Sequence, residues 1–269
     1  MILVTGAHGQ LGSAILRMLG QQGVSAVGGS RTPAERIRYL DFDRPESIDL
    51  STVETLVLVS AGYAEDDQVI ARHQAVVNAA VRDGVGHVVY TSVVGSGDHL
   101  GFALAHRATE RLIARSGLRW TFLRNGIYAE LIGDLLQWTD AHTVEFAFGE
   151  GTITAVPRED LAEAAVVAAS PEAHEGKIYE LTGEPVDMVD LAEMLGVEHR
   201  PIGLGEYRAR LLGTEGLLDF QPPMLASIAS SVRHGFLADA TDDVEGLLGR
   251  PAGSSIDVAA RAASLNRPQ

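Results

Sequence analysis

Residues able to move a proton stand in the segment Leu104–Arg111. His106 and Glu110 are four residues apart there, so a helix would place both on one face. An imidazole titrates near neutral pH and a nearby carboxylate can orient it, which makes His106 a candidate proton donor and Glu110 its predicted partner. An ordinary pair on a helix surface explains the same spacing equally well.

Two further side chains are candidates for a reaction site. Ser92 follows the fifth predicted strand, at the edge where open α/β sheets bind ligands, so its hydroxyl can bond a ligand carbonyl. Tyr128 follows an Asn-Gly turn and offers a planar surface for stacking a ring. The structural alternatives are a strand-end hydroxyl that closes a turn and core packing. Core packing is also the expected role of three nearby aromatic residues, Trp138, Phe146 and Phe148.

Several catalytic devices are excluded by composition. The chain has no cysteine, so thiolate nucleophiles, disulfides and thiolate metal sites are absent. A Tyr-x-x-x-Lys dyad is also absent, because Lys177 is the only lysine and position 173 is alanine. Redox chemistry in this chain would therefore need a bound organic cofactor.

A glycine-rich segment directly after the first apolar run predicts such a cofactor. Gly6, Gly9 and Gly12 follow the pattern G-x-x-G-x-x-G, which permits a tight turn, close approach of a pyrophosphate and helix–strand packing. Amides near Gln10 and Leu11 would face the phosphates from a helix N-terminus. The sequence therefore predicts a dinucleotide site. The alternative for the glycines is a purely structural turn. His8 could contact the pyrophosphate, and the alternative is a loop histidine without a role in binding.

The end of the second predicted strand favours NADP(H) over NAD(H). It carries Ser30 and Arg31 and no carboxylate, so the guanidinium can bind a 2′-phosphate. A solvated arginine is the alternative. Asp41, after the third strand, is placed to contact adenine, and Asn125 can hold the nicotinamide or the substrate unless it only forms a turn. The predicted cofactor residues are Gly6, His8, Gly9, Gln10, Leu11, Gly12, Ser30, Arg31, Asp41, Ser60 and Asn125.

The elements that must position these residues alternate along the chain. Short apolar runs near 1–5, 24–28, 55–60, 87–93 and 119–124 are separated by helical patterns at Gly12–Leu19, Asp66–Arg82 and Leu104–Arg115. This alternation is typical of a doubly wound parallel α/β sheet, the Rossmann fold.

The regular alternation of strands and helices stops after Gly126. We predict a helix at Tyr128–Trp138, strands at Glu145–Gly149 and Thr152–Val156, a helix at Arg158–Ser170 and a strand at Lys177–Leu181. The predicted Rossmann domain comprises 1–126 and about 155–183. A smaller, interleaved substrate-binding lobe comprises about 127–154 and 184–269.

Charge and hydropathy limit the partners. A net charge of −15 argues against direct binding of nucleic acid, which needs clustered Lys and Arg. No apolar run is long enough to span a membrane, and Met1 leads straight into an apolar strand without a signal-peptide pattern. We therefore expect a cytoplasmic protein with a small-molecule substrate, and a homodimer is one assembly open to it.

Five ordered motifs resemble the NmrA-like atypical short-chain dehydrogenases. They are Gly6-Ala7-x-Gly9-Gln10-Leu11-Gly12, Asn78-Ala79-Ala80, Tyr90-Thr91-Ser92, His106-x-x-Thr109-Glu110 and Leu123-Arg124-Asn125-Gly126-x-Tyr128. The resemblance continues through 176–181 and 248–251, so it covers nearly the whole chain. Within this family the motifs are most similar to bacterial type-two NADPH:quinone oxidoreductases. The chain departs from the family at His8, where Thr is usual, and at several positions of 205–235.

The resemblance implies a flavin-free reductase that passes hydride from NADPH to a quinone or similar aromatic carbonyl acceptor. A quinone accepts hydride readily and needs only positioning and a proton donor, so a Tyr–Lys acid is dispensable. Two alternatives stay open: an NADP(H)-sensing regulator that binds a partner protein, and a tailoring reductase or isomerase of an aromatic natural product. The compact chain and the candidate donor His106 favour the enzyme.

Overall fold

The computed structural model describes residues 1–60 and 64–268, and within these ranges ten strands form two sheets. The larger sheet contains β1 (Ile2–Thr5), β2 (Ala26–Ser30), β3 (Ile37–Tyr39), β4 (Thr55–Leu58), β5 (His87–Val93), β6 (Arg119–Asn125) and β9 (Lys177–Leu181). The smaller sheet contains β7 (Gln137–Asp140), β8 (Thr143–Phe146) and β10 (Glu198–Pro201). The larger sheet is parallel with the order β3-β2-β1-β4-β5-β6-β9, which confirms the predicted Rossmann fold.

The helices of the described ranges cover both faces of the larger sheet and pack around the smaller one. They are α1 (Gln10–Gln21), α2 (Asp66–Asp83), α3 (Ala103–Arg115), α4 (Ala129–Asp134), α5 (Arg158–Ala168), α6 (Pro171–His174), α7 (Met188–Leu195), α8 (Leu204–Gly213), α9 (Gln221–Arg233), α10 (Asp243–Leu248) and α11 (Ser255–Leu265). None of these described helices has the length and apolar composition that a membrane crossing requires.

Side chains alternate between the two faces of each strand, so the larger sheet carries two cores. Val57 and Val89 belong to the core that includes Ile15 of α1, together with residues of α5. Leu56 and Tyr90 belong to the opposite core, with residues of α2 and α3. Helices therefore cover both faces, and the carboxyl ends of the strands form the edge where such sheets bind ligands.

A third core surrounds the smaller sheet. It joins Phe146 of β8 with residues of α4, α7, α9 and α11, such as Ile132, Leu191 and Ile228. One helix of the range 184–269 lies elsewhere, because Val244 of α10 is buried in the core of the larger sheet. The predicted second lobe therefore includes a segment that packs on the Rossmann layer.

The segment 128–156 differs from the prediction. In place of one helix to Trp138, α4 ends at Asp134 and β7 begins at Gln137. A Cβ atom on Gly133 would lie 2.3 Å from the Ala259 carbonyl oxygen, so α4 is pressed against α11, and the chain then turns back to pair with β8. β8 starts and ends earlier than predicted, and 152–156 forms only isolated bridges instead of a strand.

Candidate functional site

The glycine-rich segment forms a tight turn at the carboxyl end of β1. Gly6 has a φ of +64°, which residues with a Cβ rarely adopt. The Gly9 amide donates to the Gly6 carbonyl at 2.8 Å, and α1 begins at Gln10. A Cβ atom on Gly12 would lie 2.3 Å from that same carbonyl oxygen. The first turn of α1, with Leu11 buried in it, therefore sits directly against the strand and leaves its amides at the sheet edge.

His8 connects the glycine-rich turn to the loop after β2. Its Nε2 donates to the Thr32 carbonyl at 2.9 Å, since a carbonyl can only accept. The Ser30 hydroxyl oxygen accepts the Thr32 amide at 3.2 Å, and Arg31 between them is exposed. Arg31 thus lies at the end of β2, where Rossmann proteins meet the adenosine ribose.

The loop after β3 is fixed to α2. Asp43 accepts two bonds from Arg72, at 2.7 and 2.8 Å, and these bonds together with the charge of Arg31 lower the pKa of Asp43. The Asp41 carboxylate accepts the Asp43 amide at 3.1 Å and lies 3.9 Å from Nε of Arg44. Asp41 is half-buried in this loop.

Ser60 and Asn125 follow the next strands along the same edge. The Ser60 amide donates to the Thr91 hydroxyl at 3.1 Å, directly before residues 61–63, which lie outside the described residues. Asn125 ends β6 and is only 6% exposed, yet its Oδ1 has no hydrogen-bond partner among the described residues. A buried acceptor without a donor is costly, so this atom is suited to receive a hydrogen bond from a ligand.

His106 lies in the first turn of α3 and is half-buried. Its Nδ1 is 2.9 Å from the hydroxyl of Tyr90, a fully buried residue of β5. Burial, and after it the charge of Arg107, lowers the pKa of His106 to about 4. The expectation of a pKa in the usual histidine range was therefore wrong, and at neutral pH the ring is uncharged.

Glu110 does not orient His106, contrary to the prediction. Its carboxylate accepts hydrogen bonds from Arg107 at 2.9 Å, from Arg124 at 2.9 and 2.8 Å, and from Ser92. Burial raises the pKa of Glu110, but the bonds from Arg124 and Ser92 outweigh it and leave a lowered pKa. The pattern of i, i+4 neighbours was correct, but two arginines compete more strongly for a carboxylate than a neutral ring does.

Ser92 lies within β5 rather than after it. Its side chain is buried, and its hydroxyl donates to Glu110 at 2.6 Å. The Arg107 side chain, which also approaches Ser92, binds the carbonyls of Val93 and Val94 at 2.9 Å. These contacts hold the loop after β5, and a role of Ser92 toward a ligand stays a prediction.

Tyr128 precedes α4 and is half-buried, with the Arg158 guanidinium 4.9 Å from its ring centroid. Of the other aromatic candidates, two lie in the interior and Trp138 is partly buried. Phe146 and Phe148 are each 1% exposed, and Trp138 packs beneath Arg267 at 5.3 Å. Of this group, Tyr128 remains the candidate for stacking a ligand.

Tyr90, Arg107 and Glu180 also contact residues of this site, although no sequence pattern assigned them a role there. Glu180 of β9 accepts Arg124 Nη1 at 2.8 Å and the Gly95 amide at 2.5 Å, so it ties the loop after β5 to the end of the sheet. Tyr90 stands in an apolar run, within the Tyr90-Thr91-Ser92 motif. A buried tyrosine hydroxyl needs a hydrogen-bond partner, so a tyrosine in an apolar strand indicates a polar side chain nearby. Here that side chain is His106.

The chain resembles known oxidoreductases over its whole length. A family model described as NAD(P)H-binding matches residues 6–171. Quinone oxidoreductase 2 of Escherichia coli is 33% identical over 93% of this chain and 94% of its own length. An NmrA-like family domain-containing oxidoreductase of Aspergillus flavus, flvB, is 30% identical over 72% of this chain and 69% of its own length. The NADPH complex of an Escherichia coli NADPH-dependent quinone oxidoreductase superposes on this chain with a TM-score of 0.84. The two sequences are 30% identical, and the superposition covers 97% of this chain and 99% of the Escherichia coli chain.

The chain therefore belongs to the NmrA-like NAD(P)H-binding family, as the motifs indicated, and it is an NAD(P)H-dependent oxidoreductase. The residues at the carboxyl edge fit such a dinucleotide. The glycine turn leaves no Cβ between α1 and the edge of the sheet, the Arg31 guanidinium is exposed, and Asn125 has a buried oxygen without a hydrogen-bond partner in the described part of the chain. These features lie in the order in which a Rossmann fold meets phosphate, ribose and nicotinamide.

Proposed function

We propose that the chain reduces a quinone or a similar aromatic carbonyl acceptor with NADPH and without a flavin. The observation that carries this proposal is the position of His106. It occupies the place of the missing Tyr-x-x-x-Lys dyad, beside the carboxyl edge, and one of its ring nitrogens has no partner among the described residues. The similarity to quinone oxidoreductase 2 supports a quinone as the acceptor.

NADPH rather than NADH is the proposed cofactor. Arg31 is exposed at the end of β2 next to Ser30, and no carboxylate occupies that position. Charge-assisted bonds from a guanidinium favour a 2′-phosphate. The residues proposed to hold the cofactor are Gly6, His8, Gly9, Gln10, Leu11, Gly12, Ser30, Arg31, Asp41, Ser60 and Asn125. When bound, NADPH would supply the hydride.

The remaining residues would bind and orient the acceptor. His106 would donate a hydrogen bond to the acceptor oxygen that gains negative charge, and Tyr128 would stack on the acceptor ring. Ser92 would act through Glu110, because its hydroxyl is engaged there. Arg107 and Glu180 hold the loop after β5, which would keep the wall of the site in place.

A steady-state screen tests the proposal. Purified protein, free of flavin, is mixed with NADPH or NADH and with a panel of quinones and aromatic aldehydes, and nucleotide oxidation is followed by absorbance. We expect turnover of quinones with a preference for NADPH. Nucleotide binding without turnover on any acceptor would contradict the proposal and favour the sensing role, and turnover confined to aldehydes would exclude quinones and leave an aromatic carbonyl as the acceptor.

A further inference from the structure

A tyrosine, not a carboxylate, engages the ring of His106. The hydroxyl of Tyr90 lies 2.9 Å from Nδ1, and Tyr90 is fully buried in β5. Nε2 of His106 has no hydrogen-bond partner within residues 1–60 and 64–268. One nitrogen is therefore engaged inside the protein, and the other is left for a ligand.

The direction of the Tyr90–His106 bond determines which nitrogen carries the ring proton. A phenol is a stronger donor than a neutral imidazole N–H, and an imidazole nitrogen is a stronger acceptor than a phenol oxygen. Thr109 and Ser60 also face the Tyr90 hydroxyl. The Thr109 hydroxyl donates to the Ala105 carbonyl and accepts from Nδ1 of His73, each at 2.8 Å. A hydroxyl oxygen is a weaker acceptor than an imidazole nitrogen, so both residues are weaker competitors for the Tyr90 proton than Nδ1 of His106.

The groups around His106 favour an uncharged ring. Arg107 on α3 and the first-turn position in the helix both disfavour a cation. Glu110, on the same helix, is already neutralised by two arginines. Tyr90 from β5 has a pKa raised by burial, so it stays protonated, and burial keeps His73 from α2 neutral by lowering its pKa to about 3.

We propose that His106 acts as a neutral hydrogen-bond donor, its proton held on Nε2 by the Tyr90 hydroxyl, and that Tyr90 is a positioning residue of the site. For the identity of the acceptor this inference rests on the proposed function. A quinone that accepts hydride becomes a hydroquinone anion, and the Nε2–H group bonds its oxygen as the charge develops. Water then supplies the proton that completes the hydroquinone, so His106 neither gains nor loses a proton.

Nitrogen NMR of the protein without acceptor tests the tautomer directly. In protein labelled with ¹⁵N-histidine, the signals of His106 are identified by their loss in His106→Gln. We expect a pyrrole-type Nε2 and a pyridine-type Nδ1 at neutral pH, and a mixture of tautomers in Tyr90→Phe. A proton on Nδ1 in the wild type would mean that Tyr90 donates to Thr109 or Ser60 instead, and it would overturn the inference.

Kinetics with NADPH and 1,4-benzoquinone give the second readout. We expect Tyr90→Phe to lower kcat about tenfold, the equivalent of one ordinary hydrogen bond, with little change in the KM for NADPH. Tyr179→Phe is the matched control, because that hydroxyl also lies 2.8 Å from a histidine Nδ1, that of His174. The control should keep the wild-type kcat.

The pH profile separates a neutral donor from an acid. For a neutral donor, kcat stays flat across the interval in which ordinary histidines titrate, about pH 5 to 8, and His106→Gln, whose amide also donates, loses less activity than His106→Ala. An activity that falls with rising pH in the wild type but not in His106→Gln would overturn the inference. Absence of quinone turnover would refute the proposed function alone, since the NMR result still decides the tautomer.

Discussion

Arg124 at the end of β6 binds both carboxylate oxygens of Glu110 on α3, through Nε at 2.9 Å and Nη2 at 2.8 Å. The carboxylate side chain is 8% exposed, and Arg107 and Ser92 occupy its remaining capacity. Position 110 lies four residues after His106, so this chain has an ion-pair network where a Tyr-x-x-x-Lys spacing counted from His106 would have its lysine.

Replacement of Glu110 by glutamine should destabilise the fold. The change leaves two guanidinium groups facing a neutral amide, and breaking a buried pair in this way costs about 3 kcal/mol. Urea unfolding at neutral pH measures the loss, and the same substitution at exposed Glu215 is the control. Equal stability of the two variants would show that the network contributes nothing to the fold.

Buried histidines should make the protein less stable as the pH falls. Burial lowers the pKa of His73 to about 3 and those of His87 and His106 to about 4, whereas an unfolded histidine titrates near 6.5. Below that value the unfolded chain binds more protons, so the free energy of unfolding decreases by up to about 1.4 kcal/mol per pH unit for each residue.

Urea unfolding at about pH 7 and about pH 5 measures this dependence. His87→Gln should reduce the difference between the two values, because glutamine does not titrate. The same change at exposed His142 is the control. A difference that is the same in His87→Gln and the wild type would contradict the lowered pKa of His87.

The Rossmann fold and the glycine turn were predictable because their signals are local. Three glycines, a buried parallel strand pattern and helix-length spacers indicate a doubly wound parallel sheet without reference to distant residues. The helix bounds of α2 and α3 agreed with the pattern within two residues for the same reason.

The parts that failed depend on contacts between distant segments. Gly133 of α4 packs against Ala259, more than a hundred residues away, and Glu110 on α3 is bound by Arg124 of β6. His106 followed the predicted helix face, but its pKa depends on burial and on Tyr90, which spacing along α3 cannot reveal. Sequence patterns identified the candidate residues better than they identified their partners.

Gly12→Ala should damage the turn that holds the cofactor. Its Cβ would lie 2.3 Å from the Gly6 carbonyl oxygen, a backbone atom that cannot move alone. We expect a loss of stability of about 1–3 kcal/mol and weaker binding of NADPH. Gly20→Ala in the same helix is the matched control, since no atom lies within 4 Å of its added Cβ. That control should be as stable as the wild type or slightly more stable, and similar behaviour of both variants would refute the steric argument.

Arg31→Ala should weaken NADPH binding far more than NADH binding. The lost charge-assisted bonds to a 2′-phosphate are each worth about 1.5–3 kcal/mol, or roughly tenfold to a hundredfold in Kd. Titration calorimetry with each nucleotide measures the change, and Arg208→Ala on the exposed side of α8 is the control. An equal loss for both nucleotides would place the 2′-phosphate away from Arg31.

Asn125→Leu should weaken NADPH binding without lowering the stability of the free protein. The Oδ1 atom of Asn125 is buried without a partner among the described residues, so an apolar side chain of similar size removes an unsatisfied acceptor. Such replacements are nearly neutral or stabilising, by contrast with the usual cost of changing a buried polar residue. If the oxygen serves the nicotinamide, NADPH binding should weaken about tenfold, the equivalent of one hydrogen bond.

Thermal unfolding without nucleotide and calorimetry with NADPH give the two values. Asn125→Asp provides a second variant of the same shape, which keeps the acceptor but adds a buried charge and should be less stable than the wild type. A leucine variant that is clearly destabilised and binds NADPH normally would assign Asn125 a structural role in the turn before Gly126. A leucine variant that is stable and binds NADPH poorly would place the oxygen at the cofactor. In that case Oδ1 contributes to binding by accepting a hydrogen bond from NADPH, and it contributes nothing to the stability of the free protein.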